Sequence, residues 1–431
     1  MVSLIADNNF YHIKQSYNIY STLETDDIAE SFGISGSYIR NIVNMYIPDD
    51  FDILYITGDS GCGKTTILSI LKDKVDIYYD SNFDINENES ILNILRFDVG
   101  IDEKESIGRM TSVGLSDITT WLTPYKYLSD SEKARFEVAY RFIKNDFVIM
   151  DEFLSTLDRR TAKAVSFSIQ KFVRKNNKKL VIATAHDDLV EYICPSYILY
   201  GKSYPSRFKL IKKDNSSFKN IILDSCRFEY GNNFDYNKCQ LAELHYRGKY
   251  TGGAKEYLFC FYGDEIVGLL VSIYNMHTGG RRIARLVVHP TFRGVGIGTE
   301  LVKRYLEDYK DTDVIASMGL YVPVFESAGM TRLDDVIINP PVGLKNDLSK
   351  FSFDFSRWYD KDYLYTFCSD SNVREIISHY SKHASSYVCP GGVYLSDKQI
   401  KNKLMQETNT CSRVLYNFRE RRMAKYCYGK G

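Results

Sequence analysis

The feature that most constrains this chain is a glycine-rich turn, ITGDSGCGKTTIL, which runs from Ile56 to Leu68. It lies between DILYITG, an apolar run typical of a buried strand, and TTILSILKD, which has helical periodicity. The spacing GxxxxGK[ST] lets backbone N–H groups curl around phosphates, and the lysine and hydroxyl complete the site. The turn therefore predicts a nucleotide-binding loop in an α/β fold. The expected nucleotide contacts are Gly58, Ser60, Gly61, Gly63, Lys64, Thr65 and Thr66.

Further polar groups follow at spacings that suit a nucleotide hydrolase. FVIMDE places Asp151 and Glu152 at the end of a hydrophobic run. Asp151 is expected to hold the water shell of Mg²⁺ together with Thr65, and Glu152 to polarise the attacking water. His186 ends a second apolar run, KKLVIATAH.

The order of these motifs resembles the ATP-binding cassette (ABC) family. YLSDSEKARF stands at the signature position, and STLD, from Ser155 to Asp158, at the D-loop; the resemblance covers roughly residues 25–212. It implies ATP and Mg²⁺ as ligands, catalytic Glu152 and His186, and a head-to-tail homodimer. In that dimer Ser129 and Asp158 would meet the partner's ATP, with Ser129 opening a helix.

Two departures from the family pattern bear on function. Asp130 and Ser131 replace the signature glycines, and no glutamine occurs between Thr66 and Tyr127, so the Q-loop is missing. The Glu132-Lys133 ending resembles the SMC-type ATPases of DNA repair and chromosome structure more than transporters.

A second glycine turn lies in RLVVHPTFRGVGIGTELVKRYL. Its arginine and glycines match [RQ]xxGx[GA], so consecutive N–H groups can face a pyrophosphate at a helix start. Together with DEIVGLLVSIY and VFESAGM, it resembles the GNAT acyltransferases over about residues 226–340. The resemblance implies acetyl-coenzyme A or another acyl-coenzyme A, contacted by Val287, Val288, Arg293, Gly294, Val295, Gly296, Gly298 and Thr299.

The acid of the acyl transfer is not the usual one. In the GNAT family the proton donor is a tyrosine in the closing helix, but this sequence has Phe325 there, and Tyr321 is a substitute one helical turn earlier. LHYRGKY contains a His245-Tyr246 pair that resembles Mom-type phage DNA-modification proteins, which alter a base. His245 would then be a base or substrate contact and Tyr246 a stacking or proton-transfer group; a neutral histidine packed beside an aromatic ring is the alternative.

The chain is expected to be an α/β protein with a P-loop ABC-type ATPase domain, a GNAT-like domain and a C-terminal extension. We place an N-terminal extension at 1–24, the ATPase domain at 25–225, the GNAT-like domain at 226–345 and the extension at 346–431. Lys plus Arg and Asp plus Glu both number 55, and the nine cysteines include no CxxC pair. With no apolar run of bilayer length and no signal peptide, we expect a cytoplasmic protein without a membrane partner.

Three segments have two interpretations each. Ile28–Val43 has helix-turn-helix spacing, but NIVNMYIP suits the β-rich lead-in of an ABC domain better. His379 and His383, with Cys389 nearby, lack a fourth zinc ligand. The basic, aromatic end from Arg413 onward suits either nucleic acid or a solvated helix.

The leading hypothesis is an ATP-driven acyltransferase acting on nucleic acid, with DNA favoured over RNA. One alternative is an ATP-gated acetyltransferase for protein or small-molecule amines. Another is a non-catalytic sensor of coenzyme A or nucleic acid that regulates an SMC-like ATPase clamp, which the missing closing-helix tyrosine favours.

Overall fold

The computed structural model describes residues 2–7, 10–18, 23–33, 37–74, 85–203, 207–213, 220–245, 253–276, 278–388 and 395–429. The chain divides into two compact units. The first comprises Met1–Asp224 together with the short segment Thr291–Val295, and the second comprises Ser225–Pro290 and Gly296–Gly431.

The first unit mixes strands and helices throughout. Its strands are β1 (Val2–Asp7), β2 (Phe10–Asn18), β3 (Ser37–Tyr46), β4 (Ile53–Gly58), β5 (Phe147–Met150), β6 (Lys179–Ala183), β7 (Tyr197–Lys202) and β8 (Arg207–Lys212). Its helices are α1 (Leu23–Ser31), α2 (Lys64–Lys74), α3 (Ile91–Asn93), α4 (Glu103–Ser112), α5 (Ile118–Trp121), α6 (Asp130–Lys144), α7 (Arg159–Lys175), α8 (Val190–Ile193) and α9 (Ile221–Asp224). A π-helical turn, Ile94–Asp98, continues α3, and a 3₁₀ turn spans Tyr125–Tyr127.

A five-stranded sheet in the order β5-β6-β4-β7-β8 forms the centre of the first unit. The pairs β5·β6, β6·β4 and β4·β7 are parallel, and only β8 runs antiparallel to its neighbour. Residues Ile53–Ile56 of β4 are fully buried, as expected of a strand covered on both faces. Because parallel strands end at one edge, the residues that follow β4, β5 and β6 meet there.

A second sheet of the first unit contains β1, β2 and β3, all antiparallel. The helix-turn-helix alternative places a recognition helix over residues that instead form β3, so the β-rich lead-in is the structure observed. The predicted N-terminal extension, residues 1–24, contributes β1 and β2 to this sheet.

The second unit begins with strands and continues with helices. Its strands are β9 (Cys226–Gly231), β10 (Ala254–Tyr262), β11 (Glu265–Tyr274), β12 (Arg281–Val288), β13 (Thr312–Ala316), β14 (Thr331–Arg332), β15 (Val336–Ile338) and β16 (Arg421–Tyr428). Its helices are α10 (Asn233–Lys238), α11 (Ile297–Asp308), α12 (Val324–Ser327), α13 (Leu344–Ser349), α14 (Lys361–Phe367), α15 (Ser371–Ser378), α16 (Ser381–Val388), α17 (Asp397–Gln406) and α18 (Thr408–Asn417). Short 3₁₀ turns span Gln240–Leu244, Met318–Leu320 and Phe355–Arg357.

The sheet of the second unit follows the order β14-β16-β13-β12-β11-β10-β9, and β15 also pairs with β16. Strands β9 to β12 form an antiparallel series, whereas β12 and β13 are parallel. Helix α11 packs closely on β11, because a Cβ at Gly268 would lie 2.7 Å from Ile297 Cγ2 and 3.0 Å from Leu301 Cδ1.

The predicted C-terminal extension belongs to the second unit. Its helices α13 to α18 share a core that includes Leu348, Trp358, Leu364 and Leu415. The basic end then returns to the sheet as β16, in which Met423, Ala424 and Tyr426 are buried. Among the described residues no helix is long and apolar enough to cross a membrane.

Candidate functional site

The first glycine turn has the backbone that a phosphate loop requires. Gly58, Gly61 and Gly63 have φ angles of 131°, 77° and 104°, which side-chain-bearing residues rarely adopt. A Cβ at Gly58 would lie 2.0 Å from the carbonyl oxygen of Gly201, so only glycine fits there. Cys62 is fully buried, and a Cβ on Gly201 would lie 2.6 Å from its Sγ. Cys62 therefore fills the space beneath the loop as a small side chain.

The side chains at the end of this loop are a lysine and three hydroxyl groups, which suit a phosphate ligand. Lys64 Nζ donates to the carbonyl oxygens of Gly58 at 3.0 Å and Asp59 at 3.1 Å, so the ammonium lies against the loop backbone. Helix α2 begins at Lys64, and its first-turn N–H groups have no acceptors within the helix. Ser60 and Thr65 are exposed and Thr66 is half-buried. Positive charge and N–H groups thus converge at the helix start, where anions are stabilised.

The predicted catalytic carboxylates follow β5 at the edge where β4 and β6 also end. Asp151 is half-buried, and its Oδ1 accepts the backbone N–H of Glu152 at 2.9 Å. Glu152 is exposed and has a φ of 48°, a left-handed conformation that costs a non-glycine residue about 1–3 kcal/mol. The next residue anchors this turn, since Phe153 N donates to Ala183 O of β6 at 3.0 Å. The fold thus holds Glu152 in an unfavourable backbone at the carboxyl edge.

His186 lies just beyond β6, at the same edge. Its backbone N–H is 3.3 Å from Thr184 Oγ1, and its carbonyl oxygen accepts the hydroxyl of the fully buried Tyr55. Burial raises the pKa of Tyr55, so its hydroxyl stays protonated and donates. This contact fixes the backbone at His186 and does not involve its imidazole.

Ser129 caps the long helix α6 at the signature position. Its N–H donates to Glu132 Oε2 at 3.0 Å, and Glu132 N lies 3.4 Å from Ser129 Oγ, which completes a capping box. Ser129 and Asp130 are both exposed at this helix start. Asp158 caps α7 by accepting from Thr161 N at 3.0 Å; this bonding lowers the pKa of Asp158. Both residues therefore stand at exposed helix N-termini, where they could meet a phosphate from another copy.

The second glycine turn also has phosphate-loop backbone. Gly294 and Gly296 have φ angles of 85° and 115°, and Gly296 stands immediately before α11 without a side-chain cap. Gly298 and Thr299 lie in the first turn of α11, whose N–H groups have no acceptor within the helix. A Cβ at Gly298 would lie 3.6 Å from Val288 Cγ2, an ordinary contact distance. The loop therefore presents a helix start suited to a pyrophosphate.

The strands beside this loop diverge. The parallel ladder between β12 and β13 consists, among the described residues, of three pairs: Arg281–Thr312, Arg282–Asp313 and Ile283–Val314. Strand β12 continues to Val288 and leads into the loop, while β13 ends at Ala316. Val287 and Val288 lie in this part of β12, beyond the ladder with β13. A separation of this kind leaves room for an extended ligand between two strands.

Arg293 takes part in a network of the first unit, to which Thr291–Val295 belongs. Its Nη2 lies 2.9 Å from Asp117 Oδ2. Burial raises the pKa of Asp117, but hydrogen bonds from Thr119 and the charge of Arg293 outweigh it and hold that pKa below its usual range. The guanidinium that the sequence assigns to phosphate is therefore paired with a carboxylate in this structure.

Arg135 of α6 completes this network. Its Nη2 donates to Thr291 O at 2.9 Å, and its Nη1 donates to Val113 O at 2.7 Å, Ser168 Oγ at 2.9 Å and Arg293 O at 3.1 Å. The residue is only 2% exposed, and burial, reinforced by the charge of Arg293, lowers the pKa of Arg135 to about 10. The glycine loop is therefore held by a buried cation that bonds to its backbone.

Close packing adds to these bonds. A Cβ at Gly294 would lie 2.9 Å from Ser168 Cβ and 3.0 Å from Gly114 Cα. Val295 is fully buried, and its carbonyl oxygen accepts from Asn220 Nδ2 at 2.8 Å. The path of the loop from Thr291 to Val295 is thus determined by contacts within the first unit.

The closing helix α12 carries Phe325, which is 4% exposed and packs on Tyr426 with ring centroids 5.2 Å apart. The Tyr426 hydroxyl donates to Gly319 O at 2.7 Å and lies 3.0 Å from Glu326 Oε1, and burial is the main cause that raises the pKa of Tyr426 to about 12. Tyr321 follows the 3₁₀ turn Met318–Leu320 and is half-buried. Two tyrosines therefore lie near the helix that lacks the usual one.

The His245-Tyr246 pair falls at the limit of the described residues. His245 is half-buried at the end of the 3₁₀ turn Gln240–Leu244, and Tyr246 lies outside the described residues. Of the possible zinc ligands, His379 and His383 are described and Cys389 is not. Within the described residues no group of three or more His, Cys, Asp or Glu could hold a metal ion.

Three residues of these sites were not predicted from the sequence: Arg135, Asp117 and Tyr426. Arg135 and Asp117 both contact Arg293, which lies 158 and 176 residues later in the sequence, respectively. Tyr426 contacts Phe325, which lies 101 residues earlier. No local pattern marks such contacts. A buried-face position for Arg135 in the apolar stripe of α6 is the one available signal.

The comparisons with known proteins concern two different parts of the chain. The model of the Acetyltransferase (GNAT) family matches residues 218–327. Among solved structures, a dimeric post-hydrolysis state of the ATP-binding cassette MJ0796 bound to ADP and Pi has 15% identity and a TM-score of 0.34, and covers 49% of this chain and 98% of its own. A dimeric structure of MJ0796, described as a bacterial ABC transporter cassette, has 15% identity, a TM-score of 0.35 and the same coverage. The ADP conformation of MJ1267, an ATP-binding cassette of an ABC transporter, has 11% identity and a TM-score of 0.31, and the match covers 47% of this chain and 91% of the MJ1267 chain.

No curated protein matches the chain. The structural likenesses have TM-scores below 0.5, so the P-loop unit is characterised by its own geometry: a glycine loop between β4 and α2, and β6 between β4 and the carboxylate-bearing β5. The predicted α/β class and the predicted order of two phosphate-loop folds are confirmed. The chain thus carries a P-loop-type α/β unit and, at residues 218–327, a region that matches the model of the Acetyltransferase (GNAT) family.

Proposed function

We propose that this protein hydrolyses ATP in its first unit and transfers an acyl group from acyl-coenzyme A in its second, with nucleic acid, DNA in preference to RNA, as the acceptor. The observation that carries the proposal is the presence of two separate glycine turns, each with left-handed glycines and each opening a helix. Each turn presents backbone N–H groups to an anion, and the two follow strands of different sheets.

In the ATPase reaction, the loop from Gly58 to Thr66 cradles the phosphates and Lys64 neutralises their charge. The Thr65 hydroxyl and the Asp151 carboxylate are oxygen donors of the kind that Mg²⁺ prefers, and they would hold the ion that accompanies ATP. Glu152 orients and polarises the attacking water, and His186 contacts the γ-phosphate from the neighbouring strand end. Ser129 and Asp158 act on the ATP of a second copy, because both stand exposed at helix N-termini.

In the acyl transfer, the turn from Gly294 to Thr299 binds the pyrophosphate of coenzyme A, and the pantetheine arm lies beside Val287 and Val288 of β12. The N–H groups of a strand edge can bond an extended ligand and stabilise the oxyanion of the thioester carbonyl. The acceptor amine attacks the carbonyl carbon and gives up one N–H proton to His245, the C–S bond breaks, and the departing thiolate takes a proton. Tyr321 supplies that proton, and His245 with Tyr246 contacts the acceptor.

DNA as acceptor rests on charge and aromatic groups together. The SMC-like Glu132-Lys133 ending and the basic residues from Arg413 onward that stay exposed, such as Arg413 and Arg422, support a polyanionic partner, and cations next to aromatic rings favour nucleic acid. ATP-dependent dimerisation would close two copies around the polymer.

The test is incubation of the protein with ATP, ¹⁴C-labelled acetyl-coenzyme A and either DNA or a mixture of protein amines, followed by mass spectrometry of nucleosides and peptides. We expect an acetylated nucleoside that is lost with Gly296→Asp and retained with Gly263→Asp, a matched change in the β10–β11 hairpin. Label on peptides alone would replace DNA by protein as the acceptor. No label on any acceptor would refute the acyl-transfer half.

A second candidate is a coenzyme A sensor that regulates the ATPase, and the buried Phe325 in place of the usual tyrosine favours it. The same reaction mixture separates the two functions. Coenzyme A that changes the rate of ATP hydrolysis without any transfer of label supports the sensor.

A further inference from the structure

An open cavity lies in the C-terminal helical part of the second unit, away from both glycine loops in the sequence. Its volume is about 490 Å³, within the range of small-molecule sites. The side chains that define it are Lys345, Phe355, Trp358, Tyr359, Arg419 and Glu420. We call this cavity the aromatic groove.

Two aromatic faces of the groove are accessible. Tyr359 is 66% exposed and Phe355 is 38% exposed, although both belong to a segment with a packed core. Phe355 is supported from beneath, because its ring centroid lies 5.1 Å from that of Phe353 and 5.5 Å from that of Trp358. Trp358 is itself fixed by a hydrogen bond of 2.8 Å from its Nε1 to Leu415 O. The groove therefore offers a preformed aromatic platform rather than loose side chains.

Arg419 forms the cationic wall. Its guanidinium carbon lies 3.8 Å from the ring centroid of Tyr416 and 5.1 Å from that of Tyr359. Its Nη1 donates to Tyr416 O at 2.5 Å, and its Nε is buried without a hydrogen-bond partner. A guanidinium that contacts two rings, with Nη1 bonded and Nε buried, leaves its Nη2 N–H groups as donors that a phosphate or base can accept.

The remaining charges give the groove a net positive balance. Lys345 of α13 is exposed, whereas the nearby cations Lys350 and Arg357 form ion pairs with Asp347 and Asp360. The groove has two cations, Lys345 and Arg419, and one carboxylate, the exposed Glu420. A carboxylate beside an aromatic platform is an acceptor for the ring or exocyclic N–H groups of a base.

We propose that the aromatic groove binds one nucleotide of single-stranded DNA, with the base on Tyr359 and Phe355 and a phosphate between Lys345 and Arg419. This inference rests on the proposed function, since it gives the acceptor strand a holding site outside the acyl-transfer loop. Exposed rings stack on any base, and unpaired cations neutralise the backbone, so both halves of a nucleotide have a matching group. A purely apolar ligand would leave the two cations without a role.

The test uses the full-length chain and fluorescein-labelled dT₁₅ in an anisotropy titration, without ATP or coenzyme A. We expect Tyr359→Ala to weaken binding about tenfold or more, as loss of one stacking partner does, and Lys345→Gln to weaken it and to reduce the salt dependence. Tyr365→Ala removes another exposed tyrosine, 47% exposed, that does not line the groove, and it should bind as the wild type does. Equal affinity of wild type and Tyr359→Ala would overturn the proposal.

A spectroscopic readout locates the ligand. The chain has two tryptophans, Trp121 and Trp358, and only Trp358 lines the groove. In a Trp121→Phe variant, bound dT₁₅ should quench the remaining fluorescence, whereas dTMP alone should compete weakly. No quenching by bound dT₁₅, or competition by dTMP as strong as by the oligonucleotide, would also overturn it.

The outcome is separable from that of the proposed function. If dT₁₅ binds in the groove but no label appears on DNA in the acyl-transfer assay, the proposal for the groove stands and the proposed acyl transfer to DNA is refuted. If label is transferred to DNA and Tyr359→Ala has an unchanged KM for DNA, the proposal for the groove is refuted and the proposed function stands.

Discussion

Arg135 gives the sharpest prediction, because it is a fully buried cation whose partners are oxygens without charge. Its four hydrogen bonds go to three carbonyl oxygens and to Ser168 Oγ. Two of those carbonyls belong to Thr291 and Arg293, in the glycine loop. Val113 O has a second donor, Ser168 Oγ, at 3.3 Å. Replacing Arg135 thus removes the guanidinium donor from two loop carbonyls.

The free-energy change of Arg135→Met is the difference of two opposing effects. Each of the two partly buried carbonyls that lose this donor costs about 1–3 kcal/mol, or about 4 kcal/mol in all. The low pKa of the guanidinium, about 10, corresponds to a penalty of about 3 kcal/mol for the buried charge, which methionine removes. The expected destabilisation is therefore small, about 1 kcal/mol.

Arg135→Lys should be worse than Arg135→Met. Lysine keeps the buried charge, but its ammonium is a point donor that cannot span the positions of Nη1 and Nη2. An incompletely satisfied buried cation costs about 3–5 kcal/mol. The conservative substitution is thus expected to be more destabilising than the apolar one by about 3 kcal/mol.

The assay is urea unfolding of the first unit, followed by the fluorescence of Trp121. This side chain is 2% exposed, and its Nε1 donates to Leu115 O at 2.7 Å, close to Asp117 in the sequence. A Trp358→Phe background removes the signal of the second unit. Arg141→Met, a half-exposed position on the same helix, is the control and should change stability by about 0.5 kcal/mol or less. If Arg135→Lys is tolerated better than Arg135→Met, the buried-charge reasoning is wrong.

Three further outcomes follow from the site geometry. Glu152→Gln should lower ATP hydrolysis by about 10²- to 10⁴-fold while ATP still binds and drives dimer formation on size-exclusion chromatography; a monomer with ATP would contradict the trans-acting roles of Ser129 and Asp158. The pKa of Asp117 is lowered in the folded chain, so ionised Asp117 stabilises the fold above the pKa of the unfolded chain, and this contribution is lost as the pH falls through the folded-state pKa. Asp117→Asn should therefore flatten the acid limb of a profile of stability against pH below about pH 4. An unchanged acid limb would contradict a stabilising Asp117–Arg293 pair. Gly58→Ala should abolish ATP binding, because its Cβ would lie 2.0 Å from the carbonyl oxygen of Gly201. Gly61→Ala, whose Cβ would have open space around it, should reduce ATP binding less. Equal ATP binding by the two variants would contradict the packing argument.

The local elements of the fold were predictable because their signals are local. The strand before Gly58, the helix after it and the strand ending at Met150 follow from short apolar runs and turn glycines. The β-strand interpretation of NIVNMYIP was preferred over a recognition helix and is confirmed, since residues 37–46 pair with β2.

The parts that were not predictable depend on contacts distant in sequence. The basic end from Arg413 suggested a solvated helix or a nucleic-acid tail, but residues Arg421–Tyr428 pair with β13, β14 and β15. These residues do not alternate between exposed and buried positions, since Met423 and Ala424 are both buried, and their partner strands lie about 80 to 115 residues earlier. For Arg135 the sequence offers only its position in the apolar stripe of α6, because its partners, three carbonyl oxygens and Ser168 Oγ, carry no local pattern.

The central claim is that two glycine turns serve two different ligands, and a double binding experiment tests it directly. Isothermal titration calorimetry of wild type, Lys64→Ala and Gly296→Asp would be carried out with a non-hydrolysable ATP analogue and with coenzyme A. The account predicts that Lys64→Ala loses only the nucleotide and Gly296→Asp loses only coenzyme A. Loss of both ligands in either variant, or coenzyme A binding that survives Gly296→Asp, would contradict it.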